Sequence, residues 1–270
     1  MKKAIYAVGG AGLAICALSG LLAAPGRVTE RQSAPFAGRC FAHRGLHEKD
    51  HSVPENSLRA FDRACEAGYG IELDVQLTRD GQVVVFHDDT LDRVCGVSGR
   101  VDSFSYAELQ AFPLWSGSQR IPLFSSVLDT VAGRVPLIVE LKMGRHNREL
   151  CEKTYAMLSA YRGDACIESF HPGIVRWFRR HAPELLRGQL AMPPERYALP
   201  RVGAFFAGNC LTNFLCRPHF IAYELGRKPF FVRLEEKMGA LRVCWTSRSP
   251  VEPKAHDAVI FEFYRPNPEF

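Results

Sequence analysis

Eight short strand-like runs recur along this chain, separated by helix-like sequence, and that alternation restricts the fold more than any other feature. They are Cys40–Arg44, Ile71–Gln76, Pro136–Leu141, Cys166–Phe170, Arg187–Leu190, Phe220–Tyr223, Leu241–Trp245 and Ala258–Phe261. Strands joined through helices run parallel, because each crossover brings the chain back to start the next strand in the same direction. Eight of them close into a (β/α)8 barrel, which suits 270 residues of which 47% are hydrophobic.

A ninth run, Gln82–His87, follows Asp80-Gly81, a dipeptide that favours a tight hairpin turn. Folding back about that turn lays His87 approximately opposite Asp74. This run therefore reads as a flap on the second strand, and residues from about 88 to 120 as an insertion over the barrel mouth. A short helix is expected there near Tyr106–Gln110. Asn56 or Ser57 is expected to cap the helix that follows the first strand.

Several strands carry ionisable pairs. Alternate side chains of a strand point to opposite faces, so Glu72 shares a face with Asp74, and Glu140 with Lys142. Ile71, Leu73, Val75, Val139 and Leu141 take the other face and pack on helices. With His43 and Arg44 ending the first strand, carboxylates and cations are aimed into one interior. Burying them is very unfavourable unless they bind something charged, and a metal with a phosphate is the reading that satisfies both signs. A buried ion-pair network of the carboxylates with Arg44 and Lys142 is the alternative.

Residues Ala4 to Ala24 form an uncharged apolar run between Lys2-Lys3 and Arg27. At 1.5 Å per residue it approaches the ~30 Å needed to cross a bilayer. An N-terminal membrane anchor over residues 1–26 is the expectation, with a cleaved signal peptide as the alternative. Residues 27–39 read as a linker and 40–270 as the barrel. The nine cysteines are scattered without a C-x-x-C, which argues against a disulfide framework or a zinc site and leans towards a reducing, cytoplasmic-side setting. Most of them read as small buried hydrophobic groups. A net charge of +5, with no basic run interleaved with aromatics, excludes a nucleic-acid module. No G-x-S-x-G elbow supports a serine hydrolase, and Arg176, Arg179 and Arg180 read as a solvated helix face.

His43-Arg44-Gly45, Pro54-Glu55-Asn56-Ser57, Glu72-Leu73-Asp74-Val75, Phe86-His87-Asp88 and Glu140-Leu141-Lys142 occur in this order. The series resembles the glycerophosphodiester phosphodiesterase family over essentially all of the chain after the linker. Glu168-Ser169-Phe170 and Trp245-Thr246 look like that family's later strand motifs. The resemblance implies a (β/α)8 barrel that uses a divalent cation to cleave glycerophosphodiesters to glycerol phosphate and an alcohol. It makes Glu72, Asp74 and Glu140 metal ligands, and three hard carboxylates suit Mg²⁺ or Ca²⁺.

His43 and His87 are the expected acid–base pair, and Arg44 and Lys142 the expected holders of the phosphodiester oxygens. Glu55 and Asn56 are expected to position the glycerol end or brace His43. Phe170 and Trp245 are expected to form an apolar wall against the glycerol carbons. A lysophospholipid cleaved in the manner of a lysophospholipase D is the rival substrate, and a non-catalytic headgroup-binding protein tethered to a membrane is the rival from another class. One departure stands out. The family commonly ends its last strand in Thr-Asp, whereas this chain has Phe261-Glu262 with only eight residues after it, which puts closure of the last barrel unit in question.

Overall fold

The computed structural model describes residues 23–270. Its strands are β1 (Arg39–Ala42), β2 (Gly70–Leu77), β3 (Val83–Val85), β4 (Leu137–Leu141), β5 (Ala165–Ser169), β6 (Arg187–Ala191), β7 (Phe220–Glu224), β8 (Leu241–Ser247) and β9 (Ala258–Phe261). The longer helices are α1 (Leu58–Glu66), α2 (Phe124–Val131), α3 (Asn147–Ala160), α4 (Pro172–His181), α5 (Arg201–Gly208) and α6 (Phe230–Lys237). Every strand expected from the sequence is present, with ends that differ by a few residues at most.

All strands but β3 pair in parallel, and the sheet closes on itself where β1 meets both β2 and β9. β3 lies antiparallel on β2 alone, with Val75 opposite Val85 and Leu77 opposite Val83. The hairpin turn runs through Gly81 at φ +73°, a left-handed conformation that glycine adopts without strain. This register sets Phe86 beside Asp74, with the Phe86 N–H donating to the Asp74 carbonyl at 3.0 Å, so His87 falls one position further on.

Alternation along the strands divides the core into two layers. Ile71, Leu73, Val75, Leu137, Val139, Leu141 and Ile167 face outward and pack with Phe61, Phe124, Val127, Leu150 and Phe178 from the helices. Phe41, Ile138, Cys166, Phe220, Val243, Ala258 and Ile260 fill the barrel interior. Glycines make room for its large rings. A Cβ on Gly70 would strike the Phe41 ring, and one on Gly188 would strike Phe220. The apolar filling occupies the lower barrel, so the polar strand residues are left to the mouth.

Ser57, not Asn56, caps α1, its hydroxyl accepting from the Ala60 N–H at 3.2 Å. The inserted segment has its own small core of Phe86, Leu91, Val94, Val101, Leu109, Leu114 and Ile121 around Val84. Its expected helix spans Tyr106–Leu109.

Among the described residues, two units lack a helix. β8 and β9 are joined by a loop with a single 3₁₀ turn, Pro253–Ala255. After β9, residues 263–270 cross the outside of the barrel. There the Phe270 N–H bonds the Gly38 carbonyl, and the Cys40 N–H bonds that of Pro268. Tyr69 Oη donates to the Pro266 carbonyl at 2.6 Å. The barrel therefore closes with a tail packed where a final helix would lie.

Residues 27–38, expected as a linker, fold against the lower end of the barrel. Phe36 packs in the interior cluster with Phe41 and Phe220, and Gln32 Nε2 donates to the Glu184 carbonyl. The apolar run Ala4–Ala24 lies almost wholly outside the described residues. Among the described residues no helix is long and apolar enough to cross a membrane. Of the cysteines expected to be small buried groups, Cys40, Cys151, Cys166, Cys210, Cys216 and Cys244 are buried, and Cys65 and Cys95 are partly so.

Candidate active site

Parallel strands of a barrel present their C-terminal ends on one face, and the loops that leave them surround that face. Here a cavity of about 380 Å³ opens there, lined among others by His43, Arg44, Glu72, His87, Glu140 and Trp245. β2 and β4 run in register, with Glu72 opposite Ile138 and Asp74 opposite Glu140. That pairing, together with the alternation, brings the three acids together. Glu72, Asp74 and Glu140 are buried, and one oxygen from each lies within 4.8 Å of the others.

The cluster fits a divalent cation on two grounds besides ligand type. Asp74 Oδ1 is buried without a hydrogen-bond partner, which leaves a lone pair free for a ligand. Glu72 is pushed well above the ordinary carboxylate range by burial and then by Asp74, Glu168 and Glu140, a repulsion that a bound cation would reverse. Neighbouring groups hold the carboxylates in place. The Arg44 backbone N–H donates to Glu72 Oε2 at 3.0 Å, and Asn56 Nδ2 donates to Asp74 Oδ2 at 2.8 Å. Lys142 Nζ sits 2.9 Å from Glu140 Oε1 and 3.5 Å from Asp74 Oδ1.

His43 and His87 both line the cavity, and each is oriented through Nδ1 by a carboxylate. His43 Nδ1 is 2.8 Å from Glu262 Oε2, and His87 Nδ1 is 2.6 Å from Asp88 Oδ1. An ionised carboxylate only accepts, so each Nδ1 carries the proton and each neutral Nε2 is left as an acceptor. Burial, then Arg44, pushes His43 down to about 4, with Glu262 working in the other direction. Glu262 itself is held well below the carboxylate range, because bonds from His43 and its other partners outweigh its burial. Arg248 Nε bonds its second oxygen at 2.7 Å.

Arg44 enters the cavity from a left-handed backbone at φ +55°. Its guanidinium bonds Glu55 Oε1 at 2.7 Å. Glu55, expected to position the glycerol end or brace His43, bonds Arg44 and Arg93 and not His43. Its two oxygens receive Arg44 and the forked guanidinium of Arg93, so burial is overcome and its pKa falls to about 2. Arg93 also grips Asp88 through Nε at 2.7 Å. It thereby ties the insertion to Glu55 on one side and to the carboxylate behind His87 on the other. Asn56 orients the Asp74 carboxylate and is not among the residues that line the cavity.

Phe170 and Trp245 meet edge to face, with ring centroids 5.6 Å apart, and together form one wall. Glu224 and Glu168 also line the cavity, and Glu168 lies near the three clustered acids. Burial, then Glu140 and Asp74, raises its pKa well above the ordinary range.

The sequence pattern did not disclose the partners behind the histidines. Asp88 was adjacent to His87, and Glu262 ended the last strand, so both stood in view. Arg93 gave no signal, because its place depends on how the insertion folds.

A family model described as the glycerophosphoryl diester phosphodiesterase family matches residues 43–262. The chain belongs to that family. A glycerophosphodiester phosphodiesterase from Bacillus altitudinis is 33% identical over 166 residues, which is 57% of this chain and 66% of that protein. One from Caldanaerobacter subterraneus is 36% identical over 160 residues, covering 55% and 65% respectively. The matched stretch thus spans just under two thirds of these relatives. An Oleispira antarctica phosphodiesterase, solved with the product sn-glycerol-3-phosphate, superposes with a TM-score of 0.67 over 83% of this chain and 93% of its own. At 20% identity that likeness establishes the family's barrel fold.

Proposed function

We propose that this protein hydrolyses glycerophosphodiesters to glycerol 3-phosphate and an alcohol. The observation that carries this reading is the pair of histidines, each backed by a carboxylate, in one cavity with Arg44, Glu72 and Glu140, the last two clustered with buried Asp74. The product complex of the Oleispira relative agrees with that substrate class.

In this reading Glu72, Asp74 and Glu140 hold Mg²⁺ or Ca²⁺, which polarises the phosphoryl group when bound. Arg44 and Lys142 hold the non-bridging oxygens, whose charge grows in the transition state. One histidine Nε2 takes the proton of the attacking hydroxyl, and the other gives a proton to the leaving alcohol oxygen. Glu262 and Asp88 keep both Nε2 atoms available and stabilise the imidazolium formed during transfer. The attacking hydroxyl is that of the glycerol next to phosphorus, giving a cyclic phosphate that water opens. Undiminished cleavage of a substrate lacking that hydroxyl would instead favour direct attack by water.

A lysophospholipid is a second substrate with its own supporting observation. Arg196 and Leu225 line the cavity, and beyond Arg196 the β6–α5 segment leaves Leu199, Val202, Phe205 and Phe206 about half or more exposed. An acyl chain on the glycerol would find apolar surface there.

The deciding experiment is release of glycerol 3-phosphate from glycerophosphocholine with Mg²⁺, with Ca²⁺ and with chelator. Release that needs the cation is the expected result. Intact glycerophosphocholine together with intact lysophospholipid would overturn the proposal in favour of a binding protein.

A further inference from the structure

A second cavity, of about 420 Å³, is lined by Lys142 and lies between the insertion and the loop from β4 to α3. We propose that it is a subsite for a second phosphate carried by the alcohol portion of the diester. This rests on the hydrolytic reading above and adds a substrate class to it.

Three guanidiniums line this cavity, those of Arg79, Arg100 and Arg145, and Asp102 is its one lining carboxylate. Asp102 fixes two of them, with Arg100 Nε at 3.0 Å and Arg145 Nε at 3.6 Å. Arg79 is anchored by the Ser103 carbonyl and by Glu108, both at 2.8 Å, and Glu108 lies outside the lining. Arg100 also reaches Asp89, at 3.4 Å and likewise outside. Among the described residues Arg145 makes only its long contact to Asp102, and its side chain is 68% exposed, so most of its donors are open. His146 also lines the cavity. It occupies the cap position of α3 without a side-chain cap bond, although Glu149 in the first turn offsets part of the positive end of that helix.

The cavity is tied to the reaction centre at two points. Lys142 lines it while its ammonium touches Glu140 and Asp74. Gln76 lines it too, and its amide donates to the carbonyls of Phe86 and Asp88, on either side of His87. With the glycerol end against Phe170 and Trp245, the alcohol leaves past Lys142 towards the arginines. Planar guanidinium forks match phosphate oxygens in pairs, which neither a choline nor a neutral alcohol offers.

The test compares kcat/KM for bis(glycerophospho)glycerol, whose leaving alcohol bears a second phosphate, with that for glycerophosphocholine. The native protein is expected to favour the former, and the preference should shrink at high salt. In Arg145→Glu the ratio should fall by about tenfold, with Arg145→Ala between the two. A ratio that is the same in all three proteins would overturn the subsite. If neither diester is cleaved, the hydrolytic reading fails first, and calorimetry with inorganic phosphate still decides the site. Two phosphates per native chain and one in Arg145→Glu would support it, and one in both would overturn it.

Discussion

His43 and Glu262 are 219 residues apart in the chain, yet His43 Nδ1 lies 2.8 Å from Glu262 Oε2 across the seam where β1 pairs with β9. Closure of the barrel and orientation of the histidine are therefore one event. The same seam positions Glu262 without calling on a helix after β9. Four residue pairs join β1 to β9, and residues 263–270 cover the outside.

Glu262→Ala should lower kcat roughly a hundredfold, as expected when a positioned acid–base group loses its support. Glu262→Gln keeps an acceptor but removes the charge that raises the His43 pKa. Any limb of the pH–rate profile that reports His43 should then move to lower pH. A limb that stays in place would show that Glu262 does not act through His43.

Glu72→Gln or Asp74→Ala should abolish turnover, and chelation should do the same to the native protein. A thermal-shift titration separates loss of the cation from misfolding. Saturating Mg²⁺ or Ca²⁺ stabilises only a protein that binds it, by about 2.7 kcal/mol at a hundred times Kd. The native melting temperature should rise with cation, and that of Glu72→Gln should not.

Arg93 grips Asp88 and Glu55 together, and Asp88 holds His87. Arg93→Ala should reduce kcat by about tenfold while KM changes less, since His87 loses its orientation and the cavity keeps the Arg44 guanidinium proposed to hold phosphate. Arg93→Lys should recover little of this, because an ammonium cannot fork across two carboxylates. Full recovery by lysine would show that charge alone matters there.

Away from the mouth, Glu235 is buried on α6 and receives a hydrogen bond from Asn213 Nδ2 at 2.7 Å. Burial raises its pKa from 4.5 to about 8. The folded protein therefore binds more protons than the unfolded chain between these values, and stability falls as pH rises through that window. Across it, one bound proton makes stability fall by about 1.4 kcal/mol for each step of one in pH. Glu235→Gln should flatten the dependence of the melting temperature on pH above about 4.5, and an unaltered slope would assign the effect to another group.

The strand positions and the shared faces of Glu72 with Asp74 and of Glu140 with Lys142 could be read directly from the sequence. Both follow from the twofold repeat of a strand, a local property of the backbone. The histidines were legible for a related reason, since one ends a strand and the other ends a hairpin whose turn residues were explicit. Local pattern carries no information about which distant elements meet. It could not reveal that Glu55 would turn to Arg93, that Glu262 would stand behind His43, or that residues 27–38 would close the lower barrel. Nor could it show that Arg100 and Arg145, from separate segments, would meet on Asp102 in a cavity that Arg79 and Lys142 also line. Sequence alone set the strands and the faces of their side chains, because neighbouring peptide units impose that geometry. Tertiary structure alone chose the partners of the charged groups, because only a closed barrel brings segments hundreds of residues apart within hydrogen-bonding distance.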